Sequence, residues 1–130
     1  FTKDGNVEID RLSVGVQYEY YEANIRGNNT AETKPNLRDK GNCWFVPYET
    51  INSKELRGKH PATFPVKLAE DCLKLTGKDT GIALDPFMGT GTTAVAAQIL
   101  GWDCIGYDID EDYIKFANNR LNRGLTSFLS

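Results

Sequence analysis

Gly89, Gly91 and Asp108 are the residues whose types and spacing suggest chemistry. Gly89-Thr90-Gly91 stands immediately after the apolar run "GIALD" and before "TTAVAAQIL", a segment rich in small residues. With Ala94 it forms G-x-G-x-x-A, one form of the glycine fingerprint that opens a helix beside a nucleotide. The reason is steric. Two glycines let the backbone turn tightly and approach a ligand, and an alanine lets helix and strand come together. Asp108 ends the next apolar run, "DCIGYD", at roughly the 20-residue distance the fingerprint expects. A carboxylate there can accept hydrogen bonds from two ribose hydroxyls. The competing reading is a ligand-free turn with a solvated acid. The ordered series of strand, glycines, helix, strand and acid favours a nucleoside-bearing ligand.

Several elements must position these residues. "FPVKLAEDCLKLTG" reads as a helix with Thr63 as N-cap, Pro65 in its first turn and Gly77 at its stop. Leu68, Cys72 and Leu75 share one face, flanked by Val66, Ala69 and Leu73. "GIALD" is a short apolar run, as a buried parallel strand should be, and "GTTAVAAQIL" a helix ending at Gly101. Asp110 caps the last helix, "EDYIKFANNRLNRG", with Glu111 and Asp112 in its first turn and Tyr113, Phe116, Ala117 and Leu121 facing inward. Helix, strand, helix, strand, helix is a doubly wound α/β order with right-handed crossovers. Two such strands do not make a stable open sheet, so either the first region or another segment must supply more. Before residue 59 the chain is polar and irregular. There "LSVGVQYEYYEA" has strand-like residues, "RGNNTAETKPNLRDKGN" reads as a long loop and "CWFVPYETI" as a strand interrupted at Pro47.

Composition sets limits. In 130 residues, 25% are charged and 40% hydrophobic, which is globular. The net charge of -3 arises wholly after residue 65, where six Lys/Arg face nine Asp/Glu. A nucleic-acid binder must therefore gather its cations on one face. Cys43, Cys72 and Cys104 lack C-x-x-C spacing and His60 is the only histidine, so no metal site is expected. The thiols read as free and buried in a reducing compartment. The chain starts at Phe1 and has a single methionine, Met88, which suggests a start inside a longer product. No membrane span or signal peptide is visible.

"Asp85-Pro86-Phe87-Met88-Gly89-Thr90-Gly91-Thr92-Thr93" closely resembles motif I of the S-adenosylmethionine-dependent DNA amino-methyltransferases, which act on adenine N6 or cytosine N4. "Lys59-His60-Pro61-Ala62-Thr63-Phe64-Pro65" is similar to their motif X, and "GYDID" to the acidic strand end that follows motif I. The resemblance is specific over residues 42–123. Motif X directly before motif I resembles the permuted β group, in which the catalytic half precedes the cofactor half. The resemblance implies an α/β, Rossmann-like sheet that is incomplete without an N-terminal half. It implies an S-adenosylmethionine-binding half over 59–130, preceded at 1–58 by the end of a target-recognition region. Asp85, Pro86, Phe87, Gly89 and Gly91 would shape the cofactor loop. Thr92 and Thr93 would bond the cofactor's carboxylate, Asp108 the ribose, and Ile109 would flank the adenine. His60, Pro61, Ala62 and Thr63 would border the methionine end, though a packing or capping role suits His60 nearly as well.

In that family a D/N/S-P-P-aromatic tetrapeptide presents the target nitrogen of a flipped base. No two of the five prolines here are adjacent. The catalytic residues are therefore expected outside this chain, and the chain alone is expected to be inactive. Arg26, Lys34, Arg38 and Lys40, among Asn28, Asn29, Asn36 and Asn42, are candidates for DNA contact, and Lys54, Arg57 and Lys59 form a second basic group. An ordinary solvated loop is the alternative. The expected partners are double-stranded DNA, a missing N-terminal half or partner chain, and a second copy in a homodimer, in the cytoplasm and without a membrane. The full protein is expected to be a site-specific enzyme of a restriction-modification system, with adenine favoured. A non-catalytic S-adenosylmethionine-binding or regulatory subunit is the rival, and an NAD-binding fragment a third reading.

Overall fold

The computed structural model describes residues 8–17, 37–47 and 63–122. His60, Pro61, Ala62, Arg26, Lys34, Lys54, Arg57 and Lys59 lie outside these residues, as do Asn28, Asn29 and Asn36.

Among the described residues, five elements follow residue 65. They are α1 (Val66–Lys74), β3 (Ile82–Asp85), α2 (Thr92–Ile99), β4 (Asp103–Gly106) and α3 (Glu111–Asn122). β3 and β4 pair in parallel, with Ala83 opposite Cys104 and Leu84 opposite Ile105. This is the β-α-β unit expected from the sequence. Two further strands, β1 (Val16–Gln17) and β2 (Leu37–Arg38), form a separate antiparallel pair. Among the described residues, the first region therefore adds no strand to the parallel sheet.

α2 is the centre of the core. Ala94, Val95, Ala96 and Ala97 are each at most 3% exposed. Small side chains on all sides of this helix let α1, α3 and both parallel strands pack against it. Ala83 and Cys104 turn toward this layer. The opposite face of the sheet carries Ile82, Leu84, Ile105 and Tyr107, and all four are exposed. Period-two alternation puts them together on one apolar surface. "GIALD" is thus a parallel strand, as expected, but among the described residues only one of its faces is covered.

α1 departs from expectation at both ends and in its buried face. Its N-cap is Pro65, with no side-chain cap bond, so Thr63 does not cap it. Pro65 stands in extended geometry just before the helix rather than inside its first turn. The buried residues are Ala69 and Asp71, whereas Cys72 is exposed. Asp71 lies inward because two ammonium groups meet it, from Lys40 at 2.6 Å and Lys67 at 2.5 Å. Burial alone would raise its pKa. The hydrogen bonds and charges of Lys40 and Lys67 outweigh burial and hold it below the ordinary carboxylate value. The first region also closes the helix's other end. Asp10 N–H donates to the Leu75 carbonyl at 2.8 Å, and the Ser13 hydroxyl donates to the Lys74 carbonyl at 2.7 Å. These bonds satisfy carbonyls that a helix C-terminus leaves open.

"CWFVP" is not a strand. Trp44 Nε1 instead donates back to the Gly41 carbonyl at 3.0 Å, Lys40 lies 5.3 Å from the Trp44 ring centre, and Phe45 is 90% exposed. Cys43 and Cys72 are exposed and Cys104 half-buried, so the thiols are not the buried set expected. Burial still pushes the Cys104 thiol upward, with the Asp85 charge adding to it. Among the described residues no helix is long and apolar enough to cross a membrane.

Candidate functional site

The carboxyl ends of β3 and β4 lie side by side, and the candidate residues meet there. Asp85 ends β3, and its Oδ1 accepts the Phe87 N–H at 3.0 Å, so the acid shapes the turn through Pro86. Tyr107 N–H donates to the Asp85 carbonyl at 2.9 Å, and Met88 N–H donates to the Tyr107 carbonyl at 2.8 Å. These two bonds extend the ladder past the strands and seat the glycine turn on the end of β4. Gly91 N–H closes the turn on the Met88 carbonyl at 2.9 Å.

Both glycines are left-handed, with φ of 52° at Gly89 and 81° at Gly91. Gly91 has a second constraint. A Cβ there would lie 2.7 Å from the Cβ of Ala117, which is fully buried on α3. The missing side chain at Gly91 therefore seats α3 against the loop as well as permitting the turn.

Asp108 joins the two strand ends. Its Oδ2 accepts the Gly89 N–H at 2.7 Å, and its Oδ1 accepts the Asp110 N–H at 2.9 Å. A carboxylate is an acceptor of the kind that sugar hydroxyls donate to. Asp110 Oδ1 accepts the Asp112 N–H at 2.8 Å, so the expected N-cap of α3 is present. Beside Asp108, Ile109 is fully exposed, and Phe87, in the turn after Asp85, is 87% exposed. Thr92 lies differently from what its expected role needs. It is 6% exposed, and its Oγ1 faces α3, 3.5 Å from Arg120 Nη1. Thr93 is half-buried at the helix start. Thr63 is half-buried ahead of α1. Of the DNA candidates, Arg38 is exposed in β2, whereas Lys40 is bound to Asp71.

Arg120 is the site residue that sequence reasoning missed. Its Nη1 donates to the Thr90 carbonyl at 2.7 Å. A signal for it was present, because Arg120 follows Ala117 by three residues and so shares its helical face.

A glycine turn and an acid on adjacent parallel strand ends form the ligand crevice of an open α/β sheet. The class follows from comparison as well as from this geometry. A family model described as DNA methylase matches residues 1–119, and the chain belongs to that family of amino-methyltransferases. It is 42% identical over 77 residues to the type II methyltransferase M2.LlaDCHI of Lactococcus lactis subsp. cremoris, covering 59% of this chain and 29% of that protein. It is 32% identical over 112 residues to the type II methyltransferase M.SmaI of Serratia marcescens, covering 86% and 36%. The chain thus spans about a third of the length of these relatives. A crystal structure of an M1.HpyAVI-SAM complex is 28% identical with a TM-score of 0.47, covering 64% of this chain and 41% of that one.

For a methyltransferase of this family S-adenosylmethionine is the cofactor. The residues fit it: left-handed glycines at the turn, a carboxylate bonded to that turn, and exposed apolar groups at Phe87 and Ile109.

Proposed function

We propose that this chain is the cofactor-binding part of a DNA methyltransferase acting on an exocyclic amino group, adenine N6 in preference to cytosine N4, at a specific sequence in a restriction-modification system. One observation carries the reading. Asp108 bonds the Gly89 N–H at 2.7 Å, so the acid and the glycine turn are one unit at the strand ends. In this reading Asp108 takes the ribose and Ile109 and Phe87 flank the adenine. The first turn of α2, at Thr92 and Thr93, receives the carboxylate, with backbone N–H groups serving where the Thr92 hydroxyl is turned away. His60, Pro61, Ala62 and Thr63 border the methionine end.

When bound, the cofactor supplies an electrophilic methyl group on a sulfonium. The protein's part is binding, orientation and exclusion of water. The residues that present the target nitrogen belong to an N-terminal half or a partner chain. That half also completes the doubly wound sheet and covers Ile82, Leu84, Ile105 and Tyr107, whose exposure supports this reading. Residues 1–58 end the target-recognition region, and Arg38 touches DNA phosphate together with Arg26 and Lys34. Lys40 serves there only if DNA competes with Asp71 for it. The complex works on double-stranded DNA in the cytoplasm, and a homodimer is compatible with it.

A non-catalytic S-adenosylmethionine-binding subunit is the second reading, favoured by the absence of adjacent prolines in these 130 residues. Transfer of tritiated methyl to DNA separates the two. The full-length protein is expected to label DNA and the 130-residue chain is not. No labelling by the full-length protein would select the binding subunit, and labelling by the chain alone would contradict the missing catalytic tetrapeptide.

A further inference from the structure

We propose that Arg120 is a positioning residue that holds the first turn of α2 ready for the carboxylate end of the cofactor. The inference rests on the cofactor reading of the loop and adds a residue to it. α2 starts from Gly91 with no side-chain cap bond, so the orientation of the preceding peptide decides what the helix end presents. The Thr90–Gly91 peptide is held at both ends. Its oxygen accepts from Arg120 Nη1 at 2.7 Å, and its N–H donates to the Met88 carbonyl at 2.9 Å. Glycine tolerates either sign of φ, so without such ties this peptide could turn over. A turned peptide would set its carbonyl against that of Met88 and displace the turn that leads into the first N–H groups of α2, the groups offered to an anion.

Arg120 adds charge and direction. A guanidinium can only donate. The hydroxyls of Thr90 and Thr92, each 3.5 Å from Nη1, stand at the outer limit of hydrogen bonding and can meet it only as acceptors. Thr90 and Thr92 are 5% and 6% exposed, so the cation works from behind the loop in a partly buried setting. Its position is fixed by the element that carries it. Ala117, one turn earlier on α3, touches the Gly91 position, which brings Arg120 under Thr90.

The test compares two ligands by calorimetry on the full chain. S-adenosylhomocysteine has the amino-acid carboxylate, and 5'-methylthioadenosine lacks it. Arg120→Met is expected to weaken S-adenosylhomocysteine about tenfold, the scale of one charged hydrogen bond, and to leave 5'-methylthioadenosine unchanged. Arg120→Lys, which keeps a cation that can donate, is expected to recover most of the loss. Equal weakening of both ligands would overturn the proposal, because it would make Arg120 a general support of the fold. So would unchanged affinity for both. Where the methionine variant does not fold, Arg120→Gln, which is neutral, is read by the same criterion, a selective loss supporting the role and an equal loss or none overturning it. Binding of neither ligand by the unmodified chain would instead refute the cofactor reading itself.

Discussion

Asp108 serves the fold and the proposed ligand with the same two oxygens. It fixes Gly89 on one side and the start of the α3 cap on the other. Asp108→Asn keeps one acceptor oxygen, so the loop is expected to lose only about 1 kcal/mol of stability. Affinity for S-adenosylmethionine is expected to fall about tenfold, because an amide cannot accept from two ribose hydroxyls and hold both loop N–H groups. Urea unfolding and calorimetry measure the two effects separately, and unchanged affinity would remove Asp108 from the ribose role. At this scale the sequence was informative where chemistry depends on neighbours in the chain. Asp85, Gly91 and Asp110 make bonds within a few residues, and their roles in turn and cap could be read from spacing. Arg120 could not be read that way, because its acceptor is a backbone carbonyl 30 residues away. Thr92 shows the converse. A threonine at a helix start reads as a ligand donor, but packing against α3 decides where its hydroxyl points.

α1 shows how far elements are legible. Its helical pattern is strong, and the helix is there. Its inner face was assigned by hydrophobicity, which selects Cys72 and passes over Asp71. The structure buries Asp71 at 1% exposure, because Lys40 arrives from a distant loop to neutralise it. No local pattern announces such a partner. This ion pair joins the first region to α1 and has a pH signature. Asp71 has a lowered pKa in the folded chain, so it contributes stability that is fully present above its ordinary value near 3.8. That contribution is lost as pH falls through the lowered folded value. Asp71→Asn is expected to cost about 2–4 kcal/mol near neutral pH, since two lysines lose their partner. The difference between the two proteins is expected to narrow below about pH 4. Thermal unfolding from pH 3 to 7 measures it, and a gap that stays constant through this range would contradict the ion-pair account. The unformed strand at Cys43–Pro47 has the same moral. β-prone residues were present, but Trp44 turns back on Gly41 and Pro47 has no N–H to give a ladder.

At the scale of the whole molecule, the order helix, strand, helix, strand, helix was readable because each segment carries its own period and stop signals. What completes the sheet was not, because an uncovered face is a property of the assembled structure. Ile82 and Leu84 read as buried and stand 64% and 66% exposed. That surface is the one the proposed N-terminal half would cover. The central claim is that the β3–α2–β4 unit holds S-adenosylmethionine. Calorimetric titration of the chain with S-adenosylmethionine and, separately, with NAD tests it most directly. The account predicts saturable one-to-one binding of S-adenosylmethionine and at least tenfold weaker binding of NAD, a difference of about 1.4 kcal/mol. Tighter binding of NAD would contradict it.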